Sequence, residues 1–344
     1  MRALILAGGE GTRLRPLTLT IPKPAIQLVD RPFLRYMIDW LGRNGIQEVA
    51  IASGFGADAL ADSLGRRGGD GAGIAYVEES EPLGTGGPLR LAADEGVLGD
   101  RFLVMNGDIL ADLDLRALIR AHEETGAAAT LALHPVDDPS AYGLVRTGAS
   151  GEVIEFSEKP DPGSIDTNEI SAGAYVLERR VLDLIPPGRM VSIEREVFPR
   201  LVGDGLYGHA LDGYWMDIGT PARYLQASWD VLEGRVRTDV PLTDAGPWIE
   251  AGVMIDPEAK IDARAVIAAG SEVGPGASVS GSVLLSGAVA GPRAAVTESI
   301  VGPSVRIGEG ARVGPDAVIG EGARIEAGAE LGAGARVAPR EVVT

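Results

Sequence analysis

The chain has 344 residues, 45% of them apolar, with 31 basic and 49 acidic side chains and no cysteine. That apolar content supports a packed core and excludes wholesale disorder. The lack of cysteine excludes disulfides, thiolate chemistry and cysteine-zinc sites, and a net charge of −18 argues against nucleic acid or an anionic membrane as partner.

The opening run MRALILAGGE has one basic residue and a short apolar stretch that ends in glycines. It lacks the apolar region and cleavage site of a signal peptide and reads as the first buried strand of a cytoplasmic protein. No apolar run is long enough for a membrane-spanning helix. After this strand come Gly8, Gly9 and Gly11, then Thr12 and Arg13, and further on Lys23 between Pro22 and Pro24. Neither common phosphate motif fits: no lysine follows the glycines as a P-loop needs, and Leu14 stands where the dinucleotide fingerprint needs its third glycine. The physical ingredients of an anion cradle remain. Glycines let backbone N–H groups approach phosphate oxygens, Arg13 offers a forked donor, and Lys23 is a compact charge on a restrained backbone. Screening acts over about 8 Å, so such a local cluster outweighs distant carboxylates.

Pro32 suits a first helical turn, and Phe33, Leu34, Met37, Ile38 and Leu41 fall on one helical face that Gly45 would end. A strand at 48–53, a helix near 57–64, a strand at 73–79 and a helix near 86–95 follow. The run Phe102–Met105 leads into Asn106-Gly107-Asp108, then a helix near 114–124 and a strand at 128–134. This alternation predicts an α/β, Rossmann-like, mostly parallel sheet with helices on both faces, and a ligand crevice beyond the strand C-termini. Residues 142–218 are richer in strands. Thr220 reads as an N-cap and Pro221 as the first residue of a helix reaching about Glu233. His122, His134 and His209 show no partner pattern and read as structural or surface residues, and Trp215 as packing.

Residues 234–247 read as a linker. Beyond it, apolar residues recur every six positions: Ile255, Ile261, Ile267, Val273, Val279, Leu285, then, after a shift, Val289, Ala295, Val301, Ile307, Val313, Ile319, Ile325, Leu331 and Val337. This period marks a left-handed parallel β-helix over 248–344, three hexads to a triangular coil, with a loop or irregular coil expected at the break near 286–295.

The stretch 8–24 resembles the signature of sugar-nucleotide pyrophosphorylases. The resemblance continues in order through EPLGTGGPL (81–89), NGD (106–108), YGLV (142–145), EKP (158–160), AGAYVL (172–177), SIEREVFP (192–199) and WMDIGTP (215–221), and the hexad tail occurs in many members. It implies a nucleotidyltransferase domain over 1–233 that joins a nucleoside triphosphate to a sugar 1-phosphate and releases pyrophosphate. It further implies that Arg13 and Lys23 steady the phosphates at the reacting centre and that Asp108 and Asp217 hold Mg²⁺. Leu6, Ala7, Gly8, Gly9, Gly11, Thr12, Gly84 and Thr85 are implied to frame the nucleotide, and Gly143, Glu158, Lys159 and Ser171 the sugar phosphate. The stretches IPKP and SIEREVFP and the fused tail are most similar to mannose-1-phosphate guanylyltransferases, which implies GTP and mannose-1-phosphate as substrates and GDP-mannose as product. Ser171 stands where that group usually has asparagine. Thymidylyl- or uridylyltransfer to glucose-1-phosphate, or guanylyltransfer to another sugar or heptose phosphate, therefore stays open. So does a non-catalytic regulatory subunit, although every charged residue of the implied site is present. The bifunctional uridylyltransferase–acetyltransferases need a histidine in the β-helix, and 248–344 contains none. The flat sides of a β-helix predict a homo-oligomer.

Overall fold

The computed structural model describes residues 1–54, 57–68, 71–161, 163, 165–241 and 246–344. Residues 242–245, inside the expected linker, lie outside the described residues. Contacts divide the chain into two compact units, Met1–Gly9 with Met37–Trp215 and Glu10–Tyr36 with Met216–Thr344. No described helix is long and apolar enough to cross a membrane.

The first unit is built on a nine-stranded sheet. Its strands are β1 (Arg2–Leu6), β2 (Glu48–Ser53), β3 (Gly73–Glu78), β4 (Arg101–Asn106), β5 (Ala129–Pro135), β6 (Gly143–Thr147), β7 (Val153–Glu158), β8 (Glu169–Glu178) and β9 (Leu206–Ala210). The order is β7-β6-β8-β4-β1-β2-β3, with β5 paired to β8 and β9 to β5. Strands β4, β1, β2 and β3 are parallel. Their near-continuous apolar runs fit burial on both faces: Ala3, Leu4 and Ile5 of β1 and Phe102 to Met105 of β4 are fully enclosed. The strand-rich stretch supplies the antiparallel part, in which β8 runs against β4, β5 and β6.

Helices α1 (Phe33–Arg43), α2 (Ala57–Leu64), α3 (Gly87–Asp94) and α4 (Leu115–Thr125) lie where the apolar spacing predicts them. Asp114 caps α4 by accepting from the N–H groups of Arg116 and Ala117 at 3.0 and 3.1 Å, a contribution of about 1 kcal/mol. A one-turn α5 (Phe198–Leu201) follows a π-helical turn at Ile193–Val197. Its Phe198 meets the rings of Tyr175 and Phe156 edge-on at 5.0 and 5.4 Å. His122 is buried against Thr130 and Glu178, a structural position.

In the second unit Thr220 caps α6 (Pro221–Leu232) through the Arg223 N–H, with Pro221 in the first turn. The hexads form a three-sided parallel β-helix of two six-stranded sheets and one of five strands. Trp248 pairs with Val266, 18 residues on; Val266 with Val283 and Val283 with Ile300, each 17 on; Ile300 with Val318 and Val318 with Arg336, each 18 on. The loop expected at 286–295 is absent, since Val289–Ala290 and Ala295–Thr297 are regular strands. The core takes Leu284, Ala290 and Val296 rather than Leu285, Val289 and Ala295. The phase changes instead at two shortened corners, Ser280-Gly281-Ser282 and Thr297-Glu298-Ser299. Gly281 and Glu298 have positive φ there, and Ser282 and Ser299 are fully buried and pin the corners by donating to the carbonyls of Ser280 and Thr297.

Candidate functional site

Strands β1 and β4 are parallel neighbours in register from Arg2–Phe102 to Leu6–Asn106, so both end on one edge of the sheet. Strand β8 runs against β4 and brings Ser171 toward that edge. The edge therefore collects Leu6, Ala7, Gly8, Asn106, Asp108 and Ser171.

The Ala7 N–H donates to the Ala52 carbonyl at 2.7 Å as the chain leaves β1. A Cβ on Gly8 would stand 2.6 Å from Glu79 Oε1, whereas one on Gly9 would meet nothing within 4 Å. Glu79 is a residue that sequence reasoning missed. It is 8% exposed and accepts from the Leu83 N–H at 3.2 Å, so it links the glycine loop to the 83–87 loop. Burial pushes its carboxyl above the ordinary 4.5. Between pH 4.5 and the raised value the folded chain holds a proton that the unfolded chain has released, so this group's contribution to stability falls as pH rises through that window. Glu79→Gln is expected to remove the loss: its melting temperature should overtake that of the native chain on going from pH 4 to pH 7. Parallel melting curves at both pH values would refute this.

The loop carrying Gly84 and Thr85 is stitched to residues 189–194. Gly86 N–H donates to Val191 O at 2.8 Å and Val191 N–H to Leu83 O at 3.0 Å. Gly84 has φ +74, and a Cβ there would lie 2.5 Å from Val191 O. Thr85 Oγ1 donates to Glu194 Oε2 at 2.6 Å and accepts from Ile193 N–H at 3.0 Å.

Asp108 follows β4 across Gly107, whose N–H donates to Leu6 O at 2.8 Å. Gly143 opens β6 opposite Glu158, the last residue of β7, and a Cβ on it would sit 3.0 Å from Glu158 Oε2. Burial, then the charge of Glu194, pushes the Glu158 carboxyl up. Lys159 is 61% exposed at its side chain, with Nζ 4.0 Å from Glu158 Oε1. Its φ of 51° costs a non-glycine residue about 1–2 kcal/mol, strain of the kind that collects at functional positions. Ser171 stands at a register shift in β8 made by Gly173 (φ +72). Its Oγ and the Oδ1 of Asn106 are enclosed without a hydrogen-bond partner. Both residues lie beside the buried Tyr175 hydroxyl, which burial and then the Glu194 charge keep protonated. Trp215 donates to Ala172 O at 2.8 Å and packs between His134 and Tyr142, consistent with a packing role.

The other expected residues belong to the second unit. Gly11, at φ +60, caps a 3-10 turn that exposes Thr12 and Arg13 and buries Leu14. A Cβ on Gly11 would press on Lys23 Cβ and Thr18 Cγ2 at 3.0 Å, so this glycine seats the Lys23 stem. Pro22 and Pro24 are buried on either side of Lys23. Asp217 is 9% exposed and ion-paired with Arg223. A Cβ on Gly219 would stand 2.5 Å from Arg13 Nη2 and 2.9 Å from Asp217 Oδ2, so the glycine of WMDIGTP leaves room for the guanidinium and carboxylate together. Gly219 was read only as part of WMDIGTP and Arg223 did not stand out in the sequence, although Arg223 is ion-paired with Asp217. Among the described residues no group of three or more His, Asp or Glu side chains converges as a metal site.

Residues 2–234 match the family model described as Nucleotidyl transferase, and residues 246–344 match one described as GMPPB C-terminal domain. The chain is 42% identical over 236 residues to a mannose-1-phosphate guanylyltransferase of Mycobacterium tuberculosis, a match covering 67% of this chain and 65% of that protein. It is 42% identical over 231 residues to a probable mannose-1-phosphate guanylyltransferase 3 of Oryza sativa subsp. japonica, covering 65% of this chain and 63% of that one. The matched stretch thus spans slightly less than two thirds of these relatives. Among solved structures, HddC from Yersinia pseudotuberculosis superposes with a TM-score of 0.58 at 29% identity, covering 66% of this chain and 97% of that one, and is also known complexed with GMP-PN.

Proposed function

This chain belongs to the nucleotidyl transferase family, and from that membership we propose that it condenses GTP with mannose-1-phosphate to give GDP-mannose and pyrophosphate. The observation that carries the proposal is the gathering of Leu6, Ala7, Gly8, Asp108 and Ser171 toward one edge of a sheet whose sequence relatives carry that activity in their names. A solved relative complexed with GMP-PN supports a guanine nucleotide.

In this reading a phosphate oxygen of the sugar phosphate attacks the α-phosphorus, the bond to the β-phosphate bridge breaks, and pyrophosphate leaves with that electron pair. The protein's task is alignment and charge compensation. Backbone groups of Leu6 to Gly9 and of Gly11 and Thr12, with the Gly84–Thr85 loop, hold the nucleotide. Arg13 steadies the triphosphate and then the leaving pyrophosphate, and Lys23 the reacting phosphate. Lys159 binds the sugar's phosphate, while Glu158, Gly143 and Ser171 take its hydroxyls. Asp108 and Asp217 are the proposed Mg²⁺ ligands. Carboxylate oxygens would suit such a hard cation, which at Asp217 would share the carboxylate with the Arg223 guanidinium. When bound, the ion neutralises phosphate charge.

A second reading, in which another sugar phosphate replaces mannose-1-phosphate, is favoured by the short Ser171 side chain and its unpartnered Oγ. A panel of nucleotides and sugar 1-phosphates, read by pyrophosphate release, decides. GTP with mannose-1-phosphate should be the fastest pair. A different best pair would overturn the substrate assignment, and silence with every pair would favour a regulatory subunit. Cytoplasmic location and a homo-oligomer formed through a flat side of the β-helix, where Met254 is 60% exposed, complete the proposal.

A further inference from the structure

We propose that Glu194 is a second carboxylate acceptor for the sugar's hydroxyls, working with Glu158 and held in place by Thr85 of the nucleotide loop. The inference rests on the nucleotidyl-transfer reading and deepens it, since it makes sugar selection depend on a residue anchored to the loop assigned to the nucleotide.

Two observations carry it. First, both hydroxyls that reach Glu194 use the same oxygen: Thr85 Oγ1 donates to Oε2 at 2.6 Å and Ser192 Oγ at 2.8 Å. Among the described residues nothing donates to Oε1. A carboxylate offers about four acceptor sites, so one face of Glu194 is fixed and the other remains available. Second, Glu194 lies close enough to Glu158 and to the Tyr175 hydroxyl for its charge to act on both. The two carboxylates together make this part of the site rich in acceptors. The chemistry that satisfies it is a neutral ligand carrying several O–H donors, since hydrogen bonds to carboxylate are about twice as strong as those between neutral groups. The anchoring is equally specific. Residues 189–194 and 83–87 are joined through backbone at Val191, and Gly84, Gly86 and Gly87 have no room for a side chain against that segment.

Glu194→Gln tests this in the full-length chain. The amide oxygen keeps accepting from Thr85 and Ser192, while the NH₂ group replaces Oε1 and turns an acceptor into a donor. Calorimetric titration with mannose-1-phosphate should show affinity lower by about tenfold or more, with GTP affinity within about threefold of the native value. A purely structural role is separated by repeating the titration with mono-deoxy mannose 1-phosphates. One deoxy position should weaken binding to the native chain about tenfold and leave binding to Glu194→Gln unchanged, because the partner is already lost. Equal penalties in both proteins at every position would overturn the proposal. So would native-like mannose-1-phosphate binding by Glu194→Gln, or a native chain that binds no sugar phosphate. If the native chain binds the sugar phosphate through Glu194 but turns over no pair of substrates, the activity falls and this inference stands.

Discussion

Asp108→Ala is expected to reduce nucleotidyl transfer by at least about 10²–10³-fold while the melting temperature stays close to native. The reason lies in how the residue is placed. Strand β4 ends at Asn106, Gly107 ties the connection to Leu6 through a 2.8 Å hydrogen bond, and Asp108 is the first side chain beyond. It carries negative charge beside the loop assigned to a polyphosphate, an arrangement that makes sense if a cation stands between them. Removing it should take away the charge compensation that the transfer requires and little of the fold. Asp112, four residues on, is the control. Its Oδ1 accepts from the Tyr214 N–H at 2.7 Å, so Asp112→Ala should lower stability by about 1–3 kcal/mol and leave per-molecule turnover near native. Pyrophosphate release at saturating substrate, with thermal melts of both variants, checks the pair. Turnover by Asp108→Ala within threefold of native would remove Asp108 from the site.

How legible the molecule was depended on the distance over which each feature is decided. The parallel strands, α1 to α4 and the cap at Thr220 are fixed by short-range pattern, and they lie where the spacing put them. The β-helix was legible as an architecture but not in its register. Leu284 and Leu285 are adjacent and both apolar, and Val289 and Ala290 repeat the ambiguity, so a rigid six-residue count followed the wrong member of each pair. The deciding feature is a shortened corner closed by a buried serine, and its meaning lies in the coil stacked against it: Ser299 N–H donates to Ser282 Oγ at 3.1 Å. The site divides in the same way. Glycines, Arg13, Lys23 and the aspartates announce themselves as chemical types in a run. Glu79 and Glu194 do not, because their partners at Gly8 and Thr85 are 71 and 109 residues away in sequence.

Gly107→Ala is the second large effect expected, and it separates placement from chemistry because it alters no charge. A Cβ at position 107 would stand 2.5 Å from the Leu6 carbonyl oxygen and 3.2 Å from Ala7 Cα, both backbone atoms that cannot rotate away. One of the two strand ends must shift. The cost in stability should be that of overpacking, about 1–3 kcal/mol. The cost in activity should be larger, because each side of the contact carries part of the proposed site: Leu6, Ala7 and Gly8 on one, Asp108 on the other. A misplacement of about 1 Å between reacting groups lowers rates about 10²-fold. Gly45→Ala is the comparison. That glycine has φ +87 with nothing within 4 Å of a Cβ, so its alanine variant bears backbone strain but no collision and lies away from these residues. It should lose stability alone. Urea unfolding and turnover measured side by side give the answer. If Gly107→Ala loses activity only in proportion to its loss of folded protein, the close approach of β1 and β4 serves the fold and not the alignment of the site.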